Sequence, residues 1–175
     1  MIDKDFFNRD AEVVARDLLG KILVRKINNE ERKARIVEAE AYYDEKDPAS
    51  RACKNGDLKE TMKLEAGRIL IYGVHNQWLI NFVTNRRGKA EAVLLRALEP
   101  INFPGKCSGP GLLTKALLID KSLHKKEIPN ENLWLEDDMN KEKFEIVKSG
   151  RVGVKKDLKK KLRFYVKDNL FVSRK

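Results

Sequence analysis

Short apolar runs separated by polar turns constrain the fold of this chain more than any other feature of its sequence. Residues 21–27 and 34–42 are two such runs, and the turn at Asn28 and Asn29 between them predicts a β-hairpin. Further strands are predicted at residues 68–72, 77–84, 91–98, 144–147, 151–154 and 162–166. Many short strands in succession are typical of an antiparallel sheet.

Two segments have helical periodicity instead. In residues 10–19 the apolar side chains, Val13 among them, recur at helical spacing, with Asp10 as the expected N-cap and Gly20 as the stop. A second helix is predicted from Gly109 to Ile119.

The stretch between the strands at residues 34–42 and 68–72 is polar. Residues 44–66 predict a long surface loop with about one helical turn. We therefore expect one α+β domain over residues 1–175: a curved antiparallel sheet with surrounding helices and a protruding β-hairpin.

Charge favours a polyanionic partner. Lys and Arg number 37 against 27 Asp and Glu, a net charge of +10, which fits nucleic acid or an acidic membrane surface. The charged N-terminus predicts no secretory signal, and no apolar run approaches the ~20 residues of a membrane-spanning helix.

Cysteine and histidine are too sparse and too scattered to indicate a disulfide framework or a zinc site. Cys53 and Cys107 have no paired spacing, and His75 and His124 lie far apart in the sequence. We expect no metal and an intracellular protein of the cytoplasm or nucleoid, or of the nucleus in a eukaryote.

One predicted strand carries an unusual acidic face. Strand alternation in residues 36–42 places Glu38, Glu40 and Tyr42 on one side and small or aliphatic residues on the other. Such carboxylates can orient and deprotonate water. The alternative is a solvated strand face that nearby lysines neutralise.

Arg96 lies within the apolar run 93–98. It is either an edge residue whose charge reaches solvent or a buried cation with an acidic partner, for which Glu40 is the candidate.

Two other segments have both a functional and an ordinary interpretation. The aromatic and glycine-containing stretch 71–78 is either a hairpin tip that wedges into a nucleic-acid groove or an ordinary hairpin with a core aromatic. The lysine-rich run 155–161 is either a set of phosphate contacts or a solvated loop.

Separated segments of the chain resemble the alkyladenine (3-methyladenine) DNA glycosylase family, in the family's order and over nearly the whole chain. The segments are Phe6-Phe7 with residues 15–20, residues 36–42, residues 94–100, residues 107–111, and residues 151–154 with 162–166. The resemblance implies a monofunctional enzyme without cofactor that flips a damaged purine out of double-stranded DNA and hydrolyses its bond to the sugar.

The same resemblance implies roles for individual residues. Glu40 matches the carboxylate that activates water, with Arg96 and the main-chain carbonyl of Val152 as the other groups that hold this water. Tyr42 and Tyr72 match the aromatic walls around the flipped base. The remaining pocket residues that it implies are Ala49, Arg51 and Asn81, of which Asn81 matches the residue that screens against the 2-amino group of guanine.

This chain departs from the family pattern at two places. Arg51 stands where the family usually has a histidine that reads the purine edge, and an arginine only donates hydrogen bonds. We therefore expect poor recognition of hypoxanthine and etheno-adenine. At the hairpin tip His75 is the preferred match to the side chain that fills the gap in the DNA, with Tyr72 as the alternative.

A non-catalytic module that binds damaged DNA is the main alternative to an enzyme, and an RNA-binding protein is a third. The enzyme is expected to be a monomer that needs no partner other than duplex DNA with damaged purines.

Overall fold

An antiparallel sheet organises the part of the chain that the structure, a computed structural model, describes: residues 1–139 and 143–174. Within these ranges there are eight strands and three α-helices. The strands are β1 (Ile22–Ile27), β2 (Glu30–Tyr42), β3 (Ile69–Val74), β4 (Gln77–Val83), β5 (Ala92–Pro100), β6 (Leu133–Glu136), β7 (Ile146–Ser149) and β8 (Arg163–Val166). The helices are α1 (Ala11–Leu18), α2 (Asp57–Met62) and α3 (Pro110–Ala116).

Strand β2 is the centre of this curled sheet. The path of paired strands runs β3-β4-β5-β2-β1-β6, and β8 with its neighbour β7 joins the same sheet beside β2. The first half of β2 pairs with β1, its later residues Glu38–Glu40 pair with β8, and its other edge pairs with β5. Residues 38–40 therefore have a strand on each side.

An irregularity in the pairing of β2 with β5 lies at the same place. The register shifts between Ile36 and Glu38 and again between Glu38 and Ala39. A bulge of this kind changes the direction of nearby side chains. Here it accompanies contacts of both Glu38 and Glu40 with Arg96 of β5.

Helix α1 covers the sheet through one apolar face. Its N-terminus is capped by Asp10, whose side chain accepts a hydrogen bond from Glu12 N at 2.9 Å. Gly20 follows the helix with φ +83°, and a Cβ atom on it would lie 2.7 Å from the Phe144 ring, so glycine is required there. The residues that α1 buries are Ala11, Val14, Ala15 and Leu18.

The α+β class and the curled antiparallel sheet are as predicted, and several boundaries are not. Strand β2 begins before the predicted residue 34, helix α3 ends before residue 119, and β7 lies two residues beyond the predicted segment 144–147. Strand β6 was not predicted. The loop 44–66 contains α2 and a 3₁₀ turn at Arg51–Cys53.

The predicted strand at residues 151–154 is wrong, because these residues form a turn. The N–H groups of Arg151 and Val152 donate to the carboxylates of Asp157 and Glu40 and not to a neighbouring strand. Side-chain acceptors of this kind compete with strand pairing.

None of the helices in the described ranges is long and apolar enough to cross a membrane.

Substitution of two adjacent valines in α1 tests which face of the helix packs against the sheet. Val14 is fully buried, whereas Val13, which the sequence pattern grouped with the apolar face, is 42% exposed. We predict that Val14→Ala lowers the free energy of unfolding by about 1.5–3 kcal/mol, since it removes buried methyl groups and leaves a cavity. Val13→Ala should cost less than about 0.5 kcal/mol. Urea denaturation measures both, and equal costs would contradict this packing.

Candidate active site

Two carboxylates lie in the middle of the sheet with no exposed surface, Glu38 and Glu40 of β2. The interpretation of this segment as a solvated acidic face is therefore wrong, because neither carboxylate reaches solvent. Burying a charge is costly unless it is paired and hydrogen-bonded.

Two arginines balance the two acids. Arg96 of β5 places Nε 3.2 Å from Glu38 Oε1 and 3.5 Å from Glu40 Oε1. Arg163 of β8 places Nε 2.7 Å from Glu38 Oε1. Arg96, at 8% exposure, is thus a buried cation and not an edge residue, and it contacts both acids.

Glu38 is saturated by structural contacts. Besides the two arginines, its oxygens accept hydrogen bonds from Ser173 N at 2.7 Å and Ser173 Oγ at 2.9 Å. With its acceptor positions occupied in this way, Glu38 is suited to hold Arg96 and Arg163 in place and not to bind a further group.

Within the described residues, Glu40 accepts fewer hydrogen bonds than Glu38. Val152 N donates to its Oε1 at 2.7 Å, and Tyr42 Oη donates to its Oε2 at 2.7 Å. Burial raises the pKa of Glu40 above its ordinary value, although Arg96, the Val152 N–H and Tyr42 act in the opposite direction. A carboxylate with a raised pKa is a stronger base once it is ionised.

Tyr42 is held in its protonated form. Burial, with the neighbouring charge of Glu40, raises the pKa of its hydroxyl well above the usual value. It therefore remains a donor to Glu40 over the whole neutral range.

A cleft of about 940 Å³ lies directly in front of Glu40. Three residues that contact the Glu40 carboxylate, namely Tyr42, Arg96 and Val152, line this cleft. Glu40 itself is enclosed behind them. Lysines 54, 155 and 156 also line the cleft and make this part of its wall basic.

The predicted aromatic walls both line the cleft, and each carries a guanidinium on its ring. Arg51 Cζ lies 4.6 Å from the Tyr72 ring centroid, and Arg151 Cζ lies 4.5 Å from that of Tyr42. Burial raises the pKa of the Tyr72 hydroxyl, opposed by hydrogen bonding to Arg51 and Asn81. The structure thus brings Tyr72 and Arg51 into contact inside the cleft.

The other predicted site residues, Ala49, Asn81 and Val152, differ in their position relative to the cleft and to Glu40. Ala49 lines the cleft. Asn81 of β4 is buried, donates through Nδ2 to Leu70 O at 3.2 Å, and is not among the lining residues. For Val152, the contact with Glu40 is made by its N–H, so the role of its carbonyl stays a prediction.

His75 occupies the turn of the β3–β4 hairpin. It and Asn76 are the two turn residues, with φ of 47° and 59°, as in the turns that suit two-residue hairpins. His75 is exposed and lines one end of the cleft. Its role as a wedge and the protrusion of the hairpin stay predictions.

Sequence reasoning gave no role to Arg163, Asp47 or Arg151. Arg163 carries the same signal that singled out Arg96, a charge inside an apolar strand. The pairing of Arg151 with Asp47 at 2.7 Å joins residues far apart in the sequence, and no local pattern indicates it.

Within residues 1–139 and 143–174, no three His, Cys, Asp or Glu side chains are grouped as metal ligands would be.

A family model described as methylpurine-DNA glycosylase matches residues 5–170. The chain belongs to this family. Proteins from Aeropyrum pernix and Borrelia garinii are each 42% identical to it, and one from Legionella pneumophila is 37% identical. Each alignment covers 99% of this chain and 93%, 100% and 98% of the respective relative.

All three relatives are named, provisionally, as 3-methyladenine DNA glycosylases. Family membership and these names support a DNA glycosylase that acts on DNA. Of the residues that the resemblance singled out, seven line the cleft, whereas Glu40 lies behind its lining and Asn81 does not line it; the seven are Tyr42, Ala49, Arg51, Tyr72, His75, Arg96 and Val152.

Neutralising Glu38 tests the buried ion pairs. We predict that Glu38→Gln lowers the free energy of unfolding at neutral pH by about 3–5 kcal/mol, because it leaves Arg96 and Arg163 short of one buried countercharge. Glu99→Gln is the control, since Glu99 pairs with the partly exposed Arg35 and should cost about 0–1 kcal/mol. Urea denaturation measures both free energies of unfolding. Similar losses for the two variants would show that the buried pairs of Glu38 stabilise the fold no more than a partly exposed pair does.

Proposed function

We propose that this chain is a monofunctional DNA glycosylase that flips alkylated purines, above all 3-methyladenine, out of duplex DNA and hydrolyses the N-glycosidic bond with a water activated by Glu40. One observation carries the proposal: a buried carboxylate with a raised pKa lies immediately behind a cleft walled by two tyrosines. Because buried carboxylates with a shifted pKa beside a cleft are often catalytic, this favours an enzyme over a passive binding module.

Glu40 has free acceptor positions for further hydrogen bonds. A carboxylate offers about four such positions. Val152 N–H and Tyr42 O–H occupy two of them, whereas Arg96 Nε donates to Glu38 and contributes only its charge to Glu40 at 3.5 Å. In this proposal a water at a free position donates to Glu40 and directs its oxygen towards the sugar.

The reaction then balances without another reactant. The water oxygen bonds to C1′, and Glu40 takes the proton that this water loses. The bond from C1′ to the purine nitrogen breaks, and its electron pair leaves with the base. An alkylated purine carries a positive charge in DNA, so it departs as a neutral molecule.

The walls of the cleft favour a cationic base. Tyr42 and Tyr72 are electron-rich rings that each have a guanidinium against one face, and stacking of a cationic base on the other face contributes about 0.5–2 kcal/mol. Extruding a nucleotide costs a few kcal/mol, which stacking in the pocket offsets in part.

The basic lining of the cleft and the net charge of +10 suit a polyanionic substrate. In this proposal the lysines at 54, 155 and 156 contact phosphates near the flipped nucleotide, and His75 fills the gap that it leaves. The enzyme acts on double-stranded DNA as an intracellular monomer, without cofactor or obligatory protein partner.

Replacement of the proposed base is the primary test. Glu40→Gln should lower the single-turnover release of 3-methyladenine from alkylated duplex DNA by at least about 10²- to 10⁴-fold, the usual contribution of a general base. Binding to lesion-containing duplex should be retained. Glu99→Gln, at a residue that lines a different cavity, should release base at the parental rate.

Two results would contradict the proposal. Release by Glu40→Gln at the parental rate would exclude Glu40 as the base. A parent protein that binds such DNA but leaves no abasic sites in any alkylated or deaminated duplex would favour the non-catalytic module instead.

Arg51 sets the expected range of lesions. We predict that the parent excises 3-methyladenine much faster than hypoxanthine or etheno-adenine, and that Arg51→His raises hypoxanthine excision by restoring a side chain that can accept as well as donate. Single-turnover rates on duplexes with one defined lesion measure this preference. Hypoxanthine excision by the parent at a rate comparable to that of 3-methyladenine would show that Arg51 does not restrict the substrate.

A further inference from the structure

Arg151 is a buried cation whose entire hydrogen-bonding capacity is used. Its guanidinium has no exposed surface. Two N–H groups donate to Asp47 at 2.7 Å each, two donate to Asp157 at 2.7 and 2.9 Å, and one donates to Ala41 O at 3.0 Å. These account for all five N–H donors of an arginine.

The partners of Arg151 belong to three separate segments of chain. Ala41 is at the end of β2, Asp47 is in the loop after it, and Asp157 follows Val152 in the turn that reaches Glu40. The guanidinium also lies against the Tyr42 ring. One side chain therefore connects the aromatic wall, the loop and the turn.

Asp47 extends this connection through the loop. It accepts hydrogen bonds from Tyr43 N at 3.0 Å and Ala49 N at 3.1 Å. Burial alone would raise the pKa of Asp47, but Arg151 and these N–H groups outweigh it and hold the pKa below its usual value. Ala49 and Arg51, which line the cleft, follow directly in the chain.

Arg151 also holds the turn that contains Val152 and Asp157. Asp157 accepts from Arg151 N at 3.0 Å as well as from its guanidinium, so both the backbone and the side chain of Arg151 are fixed. The next residue is Val152, whose N–H lies 2.7 Å from Glu40 Oε1.

We propose that Arg151 is a positioning residue for the reaction: it holds the Val152 N–H against Glu40 and fixes Tyr42 and the loop of Ala49 and Arg51 as walls of the cleft. This inference rests on the proposed function of Glu40. It requires an arginine, because only a planar fork can bond two carboxylates and a carbonyl at once, whereas a lysine presents a single point of charge.

A positioning role of Arg151 affects the pKa of Glu40, whereas a merely structural role would leave this pKa unchanged. The Val152 N–H stabilises the ionised form of Glu40. If the turn is released, this donor is lost and the pKa of Glu40 rises further. Glu40 must be ionised to act as a base, so activity should then be lost at a higher pH as the solution is acidified.

Arg151→Lys tests this directly. In protein labelled with ¹³C at the glutamate carboxyls, the Glu40 signal is identified by its loss in Glu40→Gln, and its titration is followed in parent and variant. We expect a higher pKa of Glu40 in Arg151→Lys. Arg35→Lys is the matched control, since Arg35 also bonds two carboxylates, Glu99 and Asp138, in a different cavity.

Kinetics provide the second readout. The single-turnover rate of base release by Arg151→Lys should fall about 10- to 100-fold below the parent on the acidic side of the profile, the size expected for one lost hydrogen bond to a charged group. The loss should narrow as the pH rises, and Arg35→Lys should keep the parental profile.

The titration and the kinetics test the positioning role of Arg151 separately from the proposed glycosylase activity. An unchanged Glu40 titration in Arg151→Lys, or an equal change in Arg35→Lys, overturns the positioning role. If Arg151→Lys does not fold, Asp157→Asn decides, because it loosens the turn while the pair with Asp47 remains. A parent that releases no base refutes the proposed function, whereas the carboxyl titration still tests what Arg151 does to Glu40.

Discussion

The burial of two carboxylates at the centre of one sheet is the constraint on which the rest of this structure depends. Glu38 and Glu40 have no exposed surface, and unpaired charges there would cost several kcal/mol each. Arg96 and Arg163 supply matching positive charges from the strands on either side. The sheet order, with β2 between β5 and β8, is what brings these four side chains together.

The two acids differ because their hydrogen bonds differ. Ser173 and both arginines occupy the oxygens of Glu38, which leaves it as an anchor. In the described part of the chain, Glu40 accepts hydrogen bonds from the Val152 N–H and the Tyr42 hydroxyl and has a longer ionic contact with Arg96. The sequence motif alone does not distinguish an anchor from a base; the surrounding donors do, and they lie on segments far from β2.

Local patterns in the sequence predicted the strands β3, β4, β5 and β8 and the α+β class, because alternation and turn residues act within a few positions. They failed at Arg151 and Val152, whose N–H groups bond to the side-chain carboxylates of Asp157 and Glu40 where strand pairing was expected. The resemblance placed Tyr42, Tyr72 and Arg51 at one site, and all three line the cleft. Long-range pairs such as Arg151 with Asp47 have no local signature, so no reading of the sequence could supply them.

A crystal structure of the protein bound to duplex DNA that carries a cationic nitrogen in place of the sugar C1′ would test the account most directly. If Glu40 is the base, a water bonded to its carboxylate should lie about 3 Å from that nitrogen, on the face opposite the position that the base occupies before it departs. A Glu40 still sealed behind Tyr42 and Val152, with no water between it and the sugar, would contradict the account.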